Sequence, residues 1–218
     1  MPAYLAGMDW QGRIFGSDRI WGADGASRLF VVGAPDIAAG PGTGRVCPES
    51  LPETPSGFHL PAMGAIPAPD RLALIGFLAL NPHWDGVAVV VGDSAVWATL
   101  SAREIIHQQG SATPEIARAL GLDDAAPVGM DTARDRPERL PLLLHDARSA
   151  SAKIGTLLGA EIGATRTLWL GQQAVVIGAG ALAKAYVTAL REAHVPVTET
   201  DRTALFDKGF AALAAQTL

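Results

Sequence analysis

A single cysteine, Cys47, is all the sequence contains, so no disulfide can form within the chain. That usage fits a cytosolic protein. No run of residues reaches the ~18 apolar positions of a membrane-spanning helix. The opening stretch MPAYLAGMDWQGR lacks the basic-then-apolar layout of a secretion signal. Basic residues are scarce: 17 Lys and Arg stand against 22 Asp and Glu, a formal net charge of −5. A chain so balanced has no basic stripe for sequence-independent binding of nucleic acid. The five histidines are scattered, without the spacing of metal ligands. These absences describe a cytoplasmic protein with neither a nucleic-acid nor a membrane partner.

What is present is apolar residue in quantity. Hydrophobic residues make up 49% of 218, enough to bury a sizeable core in one large domain or two small ones. The chain is organised around QQAVVIGAGALAKAYVTALREAHVPVTETD, residues 172–201. Val175, Val176 and Ile177 form a β-branched run, and the turn Gly178-Ala179-Gly180 follows. Leu182, Tyr186, Ala189 and Leu190 then recur at helical steps, until His194 and Pro196 stop the pattern. Residues 195–198 read as the next strand. A strand, Gly-rich turn, helix and strand in succession imply a parallel pair with a crossover helix. Such a turn admits a ligand close to the backbone, and the helix start offers free N–H groups suited to phosphate. It also permits tight strand–helix packing, and the turn alone leaves both readings open.

Elsewhere the pattern is coarser. Residues 1–32 carry the apolar runs Tyr4-Leu5-Ala6 and 29–32 with a Gly-rich segment between, read as short strands and turns. Asp9 lies there beside Trp10, either as a turn residue or as the magnesium-holding acid of a phosphate hairpin. Residues 33–69 are dense in proline and glycine and read as a long connection; Gly40-Pro41-Gly42-Thr43-Gly44-Arg45 lacks the ending of a P-loop. Asp70 is placed to cap a helix through Leu80. Residues 87–91 are unbroken β-branched and small apolar residues, as in a buried central strand. That strand ends in Gly92-Asp93-Ser94, a candidate phosphate or metal loop, or simply a turn. Residues 101–109 and 113–120 read as short helices, and 121–141 as a polar loop. Gly155, Gly159 and Gly163 at steps of four predict a helix pressed against a neighbour, with Glu161 one turn away. A final helix carries Leu205, Phe210 and Leu213. Trp10, Trp21, Trp84 and Trp97 are expected in the core.

Two readings of the Gly turn compete. Gly178-x-Gly180-x-x-Ala183 fits a dinucleotide fingerprint, with Glu199 or Asp201 at the distance of a ribose-binding acid. Against this, Leu157-Leu158-Gly159-Ala160-Glu161-Ile162 followed by Val176-Ile177-Gly178-Ala179-Gly180-Ala181-Leu182-Ala183-Lys184-Ala185-Tyr186 resembles the 2-dehydro-3-deoxygalactonokinase family. These are sugar-acid kinases of actin/hexokinase-like fold. The resemblance is collinear from about Asp70 onward and includes Gly92 and Trp97 of the family's second phosphate loop. Its threonine, histidine and lysine are absent: Asp93, Ser94, Ala95 and Val96 stand there instead. The strand pair after that loop reads as missing or shortened. The first phosphate hairpin has no clear counterpart: Asp9-Trp10-Gln11-Gly12 is its candidate remnant, while Ala6-Gly7-Met8 resembles a later family stretch and would leave that hairpin absent. The chain is also shorter than typical members.

The resemblance implies an α/β protein with a mixed, ribonuclease-H-like sheet flanked by helices. Residues 1–69 would form N-terminal strands and the connection, and 70–218 the kinase-like domain. It implies ATP and magnesium as cofactors and a small sugar acid as substrate, with a homodimer the candidate assembly. ATP would sit at Gly178, Ala179, Gly180, Ala181 and Lys184, its phosphates at Gly92 and Ser94. Asp93 would hold magnesium, and Asp93 or Asp9 would take the substrate hydroxyl proton. Since no lysine faces the phosphates, activity is expected to be weak or lost. The alternatives are a non-catalytic binding protein on this scaffold and an NAD(P)-dependent enzyme using the Gly turn.

Overall fold

The computed structural model describes residues 9–216. The expected strand start at Tyr4-Leu5-Ala6 and the Ala6-Gly7-Met8 stretch lie outside the described residues. In chain order the strands and helices begin with β1 (Trp10–Ile14), β2 (Ile20–Gly22), β3 (Arg28–Val32), β4 (Gly44–Arg45), β5 (Glu53–Thr54) and β6 (Gly57–Leu60). Then come α1 (Ala68–Leu80), β7 (Gly86–Val91), β8 (Ala95–Ser101), β9 (Glu104–Ser111), α2 (Thr113–Ala119), α3 (Asp131–Asp135) and α4 (Leu140–Asp146). The chain closes with α5 (Ala150–Ala164), α6 (Arg166–Trp169), β10 (Ala174–Gly178), α7 (Gly180–Glu192), β11 (Val197–Asp201) and α8 (Phe206–Gln216). These elements fall into two compact units. One comprises residues 9–84, 101–107 and 202–216; the other comprises Asp85–Leu100 and Gln108–Asp201.

In the first unit, β1, β3 and β6 run parallel, with β2 and β5 antiparallel at the edges. Helix α1 packs on α8. Glycine makes that approach possible: a Cβ on Gly76 would collide with the Leu205 carbonyl, and one on Gly209 with that of Leu72. Trp10 and Trp21 stack against Phe210, and Trp21 meets Phe206 edge-on at 5.7 Å, so both tryptophans are core as expected. The Pro/Gly-rich connection is tied down by Arg71. This buried guanidinium donates to the carbonyls of Val46, Pro61 and Arg45, which anchors a stretch with little regular structure of its own. Burial brings the Arg71 pKa down to about 10, so it stays cationic at neutral pH. Asp70 does not cap α1. Pro67 holds that position without a side-chain bond, and the Asp70 carboxylate pairs with Arg202 at 2.8 Å.

The second unit explains the central runs of the sequence. Its sheet is ordered β11-β10-β7-β8-β9. Strands β7, β10 and β11 are parallel, and β8 returns antiparallel on the other side of β7. The first strand is thus central, two strands follow on one side, and two reached through helices lie on the other. This is the ribonuclease-H-like, mixed α/β arrangement. Every residue of β7 and β10 is buried, as a strand covered on both faces requires. Residues 101–109 are not a helix. They pass from β8 through the turn Ala102-Arg103 into β9, where Ile105-Ile106 are better suited to a strand. The strand pair read as missing or shortened is therefore not missing: its strands are seven and eight residues long. The Gly155, Gly159 and Gly163 ladder presses α5 onto the segment leading into and forming α3. A Cβ at these sites would collide with the carbonyls of Val128, Met130 and Arg134.

Candidate functional site

Strand register brings two of the predicted loops to one edge of the second unit's sheet. Ile177 of β10 pairs with Val90 of β7, so both strands end at the same level. A Cβ on Gly178 would lie 3.0 Å from the Val91 carbonyl oxygen and 2.9 Å from Ala183 Cβ. Gly178 thus answers the packing reading of the turn. Gly180 has no such packing role. A Cβ there would meet nothing within 4 Å, and its φ of +78° is one that side chains disfavour. Ala179 and Gly180 are exposed, Ala181 is half-buried, and Lys184 projects from the exposed side of α7. No side chain caps α7, so its first N–H groups have no side-chain partner. A site of this kind, at the carboxyl ends of parallel strands, fits the backbone and phosphates of a nucleotide.

Gly92, Asp93 and Ser94 form the tight turn between β7 and β8, with Val91 paired to Ala95. The Gly92 N–H is used within the turn, donating to the Ser94 carbonyl at 2.9 Å. Arg118, from α2, donates to the carbonyls of Gly92 at 2.7 Å and Asp93 at 2.9 Å. It also lies 3.7 Å from the Asp93 carboxylate, whose side chain is fully exposed. Nothing in the sequence points to Arg118. Arg45 and Arg71 belong to the first unit, where Arg45 pairs with Glu49 and Arg71 serves three carbonyls. A helix residue 25 positions after the turn carries no local signal of its target. As a donor set for phosphates the turn is poor, because its Gly92 amide and its nearby cation are both engaged with the turn's own carbonyls. For magnesium it offers one carboxylate, Asp93, which fits an ion held mostly by water and ligand phosphates.

Asp9 lies in the first unit, just before β1. It accepts from the Ser27 N–H at 3.1 Å and the Ser27 hydroxyl at 2.7 Å. These bonds, the side-chain one foremost, hold its pKa below the usual carboxylate value. That geometry ties Asp9 to Ser27. Glu199 and Asp201, the ribose-acid candidates, are exposed on the edge strand β11, where Asp201 pairs with Gly178.

Beneath the sheet edge lies a buried polar network. The Glu161 carboxylate on α5 accepts from Trp97 Nε1 at 2.6 Å, the Ser111 hydroxyl at 2.7 Å and the Tyr186 hydroxyl at 2.8 Å. Glu161 is 7% exposed, and Trp97 and Tyr186 are fully buried. One carboxyl group therefore joins β8, β9, α5 and α7. Burial drives the Tyr186 phenol well above its ordinary pKa, and the neighbouring Glu161 adds to the shift. The sequence singled out Trp97, Glu161 and Tyr186 separately, as points of family resemblance; the fold shows that they touch.

Comparison with known proteins accords with this architecture. The sequence profile of the 2-keto-3-deoxy-galactonokinase family matches residues 134–213. That stretch contains Glu161, the Gly turn and Tyr186, and does not reach the turn at residues 92–94. No curated protein matches the chain. A crystal structure from Sinorhizobium meliloti, named as a candidate 2-dehydro-3-deoxygalactonokinase, superposes with a TM-score of 0.72 over 86% of this chain and 79% of its own. At 16% identity that likeness shows a shared fold. No helix among the described residues is long and apolar enough to cross a membrane. Residues 134–213 are thus similar to the 2-keto-3-deoxy-galactonokinase family, and the likeness in fold extends over most of the chain.

Proposed function

We propose that the protein binds an adenine nucleotide at the Gly178–Lys184 turn and a small sugar acid, as an ATP-dependent sugar-acid kinase whose phosphoryl transfer is weak or lost. The observation that carries this reading is the meeting of the β10–α7 turn and the β7–β8 turn at one edge of a ribonuclease-H-like sheet. The sheet order favours it over a nicotinamide enzyme, since β10 is not the first strand of a doubly wound sheet. Bound ATP with magnesium would supply the phosphoryl group, with Asp93 as the carboxylate nearest the metal or the substrate proton. The chain's part would be positioning and charge. Gly180 leaves room for the nucleotide, and the uncapped start of α7 offers N–H donors. At the β7–β8 turn the charge is deficient. Loss of one good charge-stabilising donor costs ~10²–10³ in rate, and here the Gly92 amide is used within the turn and Arg118 is already bonded to two of its carbonyls. This also supports a second reading, a binding protein that keeps the scaffold without catalysis.

Calorimetric titration with ADP, ATP, NAD and NADP tests the first half. Adenine nucleotides are expected to bind more tightly than either dinucleotide. Gly180→Asn should abolish binding while tolerating the left-handed backbone. Binding of NAD without an adenine-nucleotide signal would sink the reading. A coupled ADP-release assay with 2-keto-3-deoxygalactonate and magnesium tests the second half. Turnover is expected well below ~1 s⁻¹, the lower end for kinases.

A further inference from the structure

The first unit contains a small cationic cavity that the kinase reading does not use. Its volume is about 80 Å³, and it is lined by Arg45, Cys47, Ile75, Leu78, Arg103 and Gln216. At about 30 Å³ per water, one small oxyanion could replace the two or three waters it would otherwise hold. Arg45 approaches from β4 and Arg103 from the turn between β8 and β9. Arg45, Arg71 and Arg103 all act electrostatically on the Cys47 thiol, although burial outweighs them and pushes its pKa up. Charge compensation is thin. Glu49 pairs with Arg45, and Arg71 donates to backbone carbonyls. Among the described residues, no hydrogen bond or ion pair engages the Arg103 guanidinium. The placement of Arg103 is itself unusual. Ala102 and Arg103 have φ of 49° and 67°, the pattern of a two-residue hairpin turn that Asn-Gly or Gly-Gly would fill more easily. Glycine would serve the backbone better at position 103; arginine adds a guanidinium at the cavity.

We propose that this cavity binds a small oxyanion, a phosphate or carboxylate group held by Arg45 and Arg103 against the wall formed by Cys47. The proposal is independent of the nucleotide reading, since every residue in it belongs to the first unit.

Cys47 supplies the readout, because it is the only thiol in the chain. Its reaction with an aromatic disulfide reagent is followed at constant ionic strength, with chloride replaced by inorganic phosphate or, separately, by acetate. Occupancy should slow labelling about tenfold at roughly ten times the dissociation constant. Slowing by phosphate assigns a phosphoryl ligand, and slowing by acetate a carboxylate. The effect should disappear in Arg103→Gly, which suits the turn and so keeps the fold, and in Arg45→Ala. If the buried thiol reacts only through opening of the fold, the anion still slows it by stabilising the closed state, with the same dependence on Arg103. Labelling that neither anion slows, or slowing that persists undiminished in Arg103→Gly, overturns the proposal.

Discussion

The interior around Glu161 and the exposed turn at residues 92–94 lie in the same unit, yet they treat polar groups in opposite ways. Around Glu161 three donors converge on one carboxyl group, and the elements they come from are locked by it. At the turn, the Gly92 amide and the cation are spent on the turn's own carbonyls, and the Asp93 carboxylate is left in solvent. The difference follows from dielectric surroundings. A buried donor without a partner costs ~1–3 kcal/mol, so the network resists piecemeal change. A solvated turn has water as a substitute partner, and its residues can be exchanged at small cost to the fold.

The strongest test of this contrast is Glu161→Ala. Removing the acceptor strands Trp97 Nε1 and the hydroxyls of Tyr186 and Ser111, the first two in fully buried residues. A loss of roughly 3–5 kcal/mol in urea unfolding is expected. A loss under ~1 kcal/mol would mean that water enters the site and that the interior is no stricter than the turn.

Gly159→Ala probes the packing beside that network. Alanine gains up to about 1 kcal/mol in helix propensity. The added Cβ, however, would collide with the Met130 carbonyl, which is backbone and has little room to yield. The net expectation is destabilisation of ~1–3 kcal/mol, read from the shift in urea midpoint. A neutral or stabilised variant would show that α5 and α3 are not pressed together as described.

Tyr186→Phe removes one donor and should cost about 1 kcal/mol at neutral pH. Its pH dependence is more informative. The folded phenol titrates well above its ordinary value of 10.0. Below pH 10 both folded and unfolded chains hold the proton, and its contribution is complete. Above pH 10 the unfolded chain releases the proton while the folded chain keeps it, so stability falls as pH rises. Phenylalanine lacks that proton, and the two stability curves should approach each other on the alkaline side. Parallel curves would place the Tyr186 hydroxyl in contact with solvent.

Legibility in the sequence followed the same division. Residues 87–91 and 175–177 were readable as strands because runs buried on both faces leave an unbroken apolar signature. The glycine ladder of α5 announced close packing, since steps of four keep one face of a helix. The hairpin over residues 95–111 was misread at its far strand. There only Ile105 is buried, and the half-polar segment EIIHQQGS shows little alternation. The return of residues 202–216 to the first unit has no local signature, because Asp70–Arg202 and the contacts of Phe210 join positions far apart in the chain. At the site, the two Gly-rich turns could be named from sequence, but their adjacency depends on strand order. Arg118 could not be found, since its partners are backbone carbonyls, which every residue possesses.

Arg118→Ala is expected to have the smallest effect on stability and bears most directly on the turn. Its side chain is 39% exposed, and water can replace the guanidinium at the Gly92 and Asp93 carbonyls. The ion pair with Asp93 is long and solvated, a kind that contributes ~0–1 kcal/mol. Unfolding stability should therefore change by no more than about 0.5 kcal/mol. The effect on a bound nucleotide would be larger in proportion, because Arg118 is a cation held at the turn where the phosphates are proposed to lie. Affinity for ADP should fall several-fold, and the fall should shrink as salt is raised, as screening of an exposed charge requires. Arg118→Lys separates the two contributions: it keeps the charge but cannot span both carbonyls in one planar fork. If Lys restores ADP affinity, charge is what matters at the turn. If Lys behaves like Ala, the fork's grip on the two carbonyls sets the shape of the turn. A stability loss above ~2 kcal/mol in Arg118→Ala would break the contrast itself, because the turn would then be held as strictly as the interior.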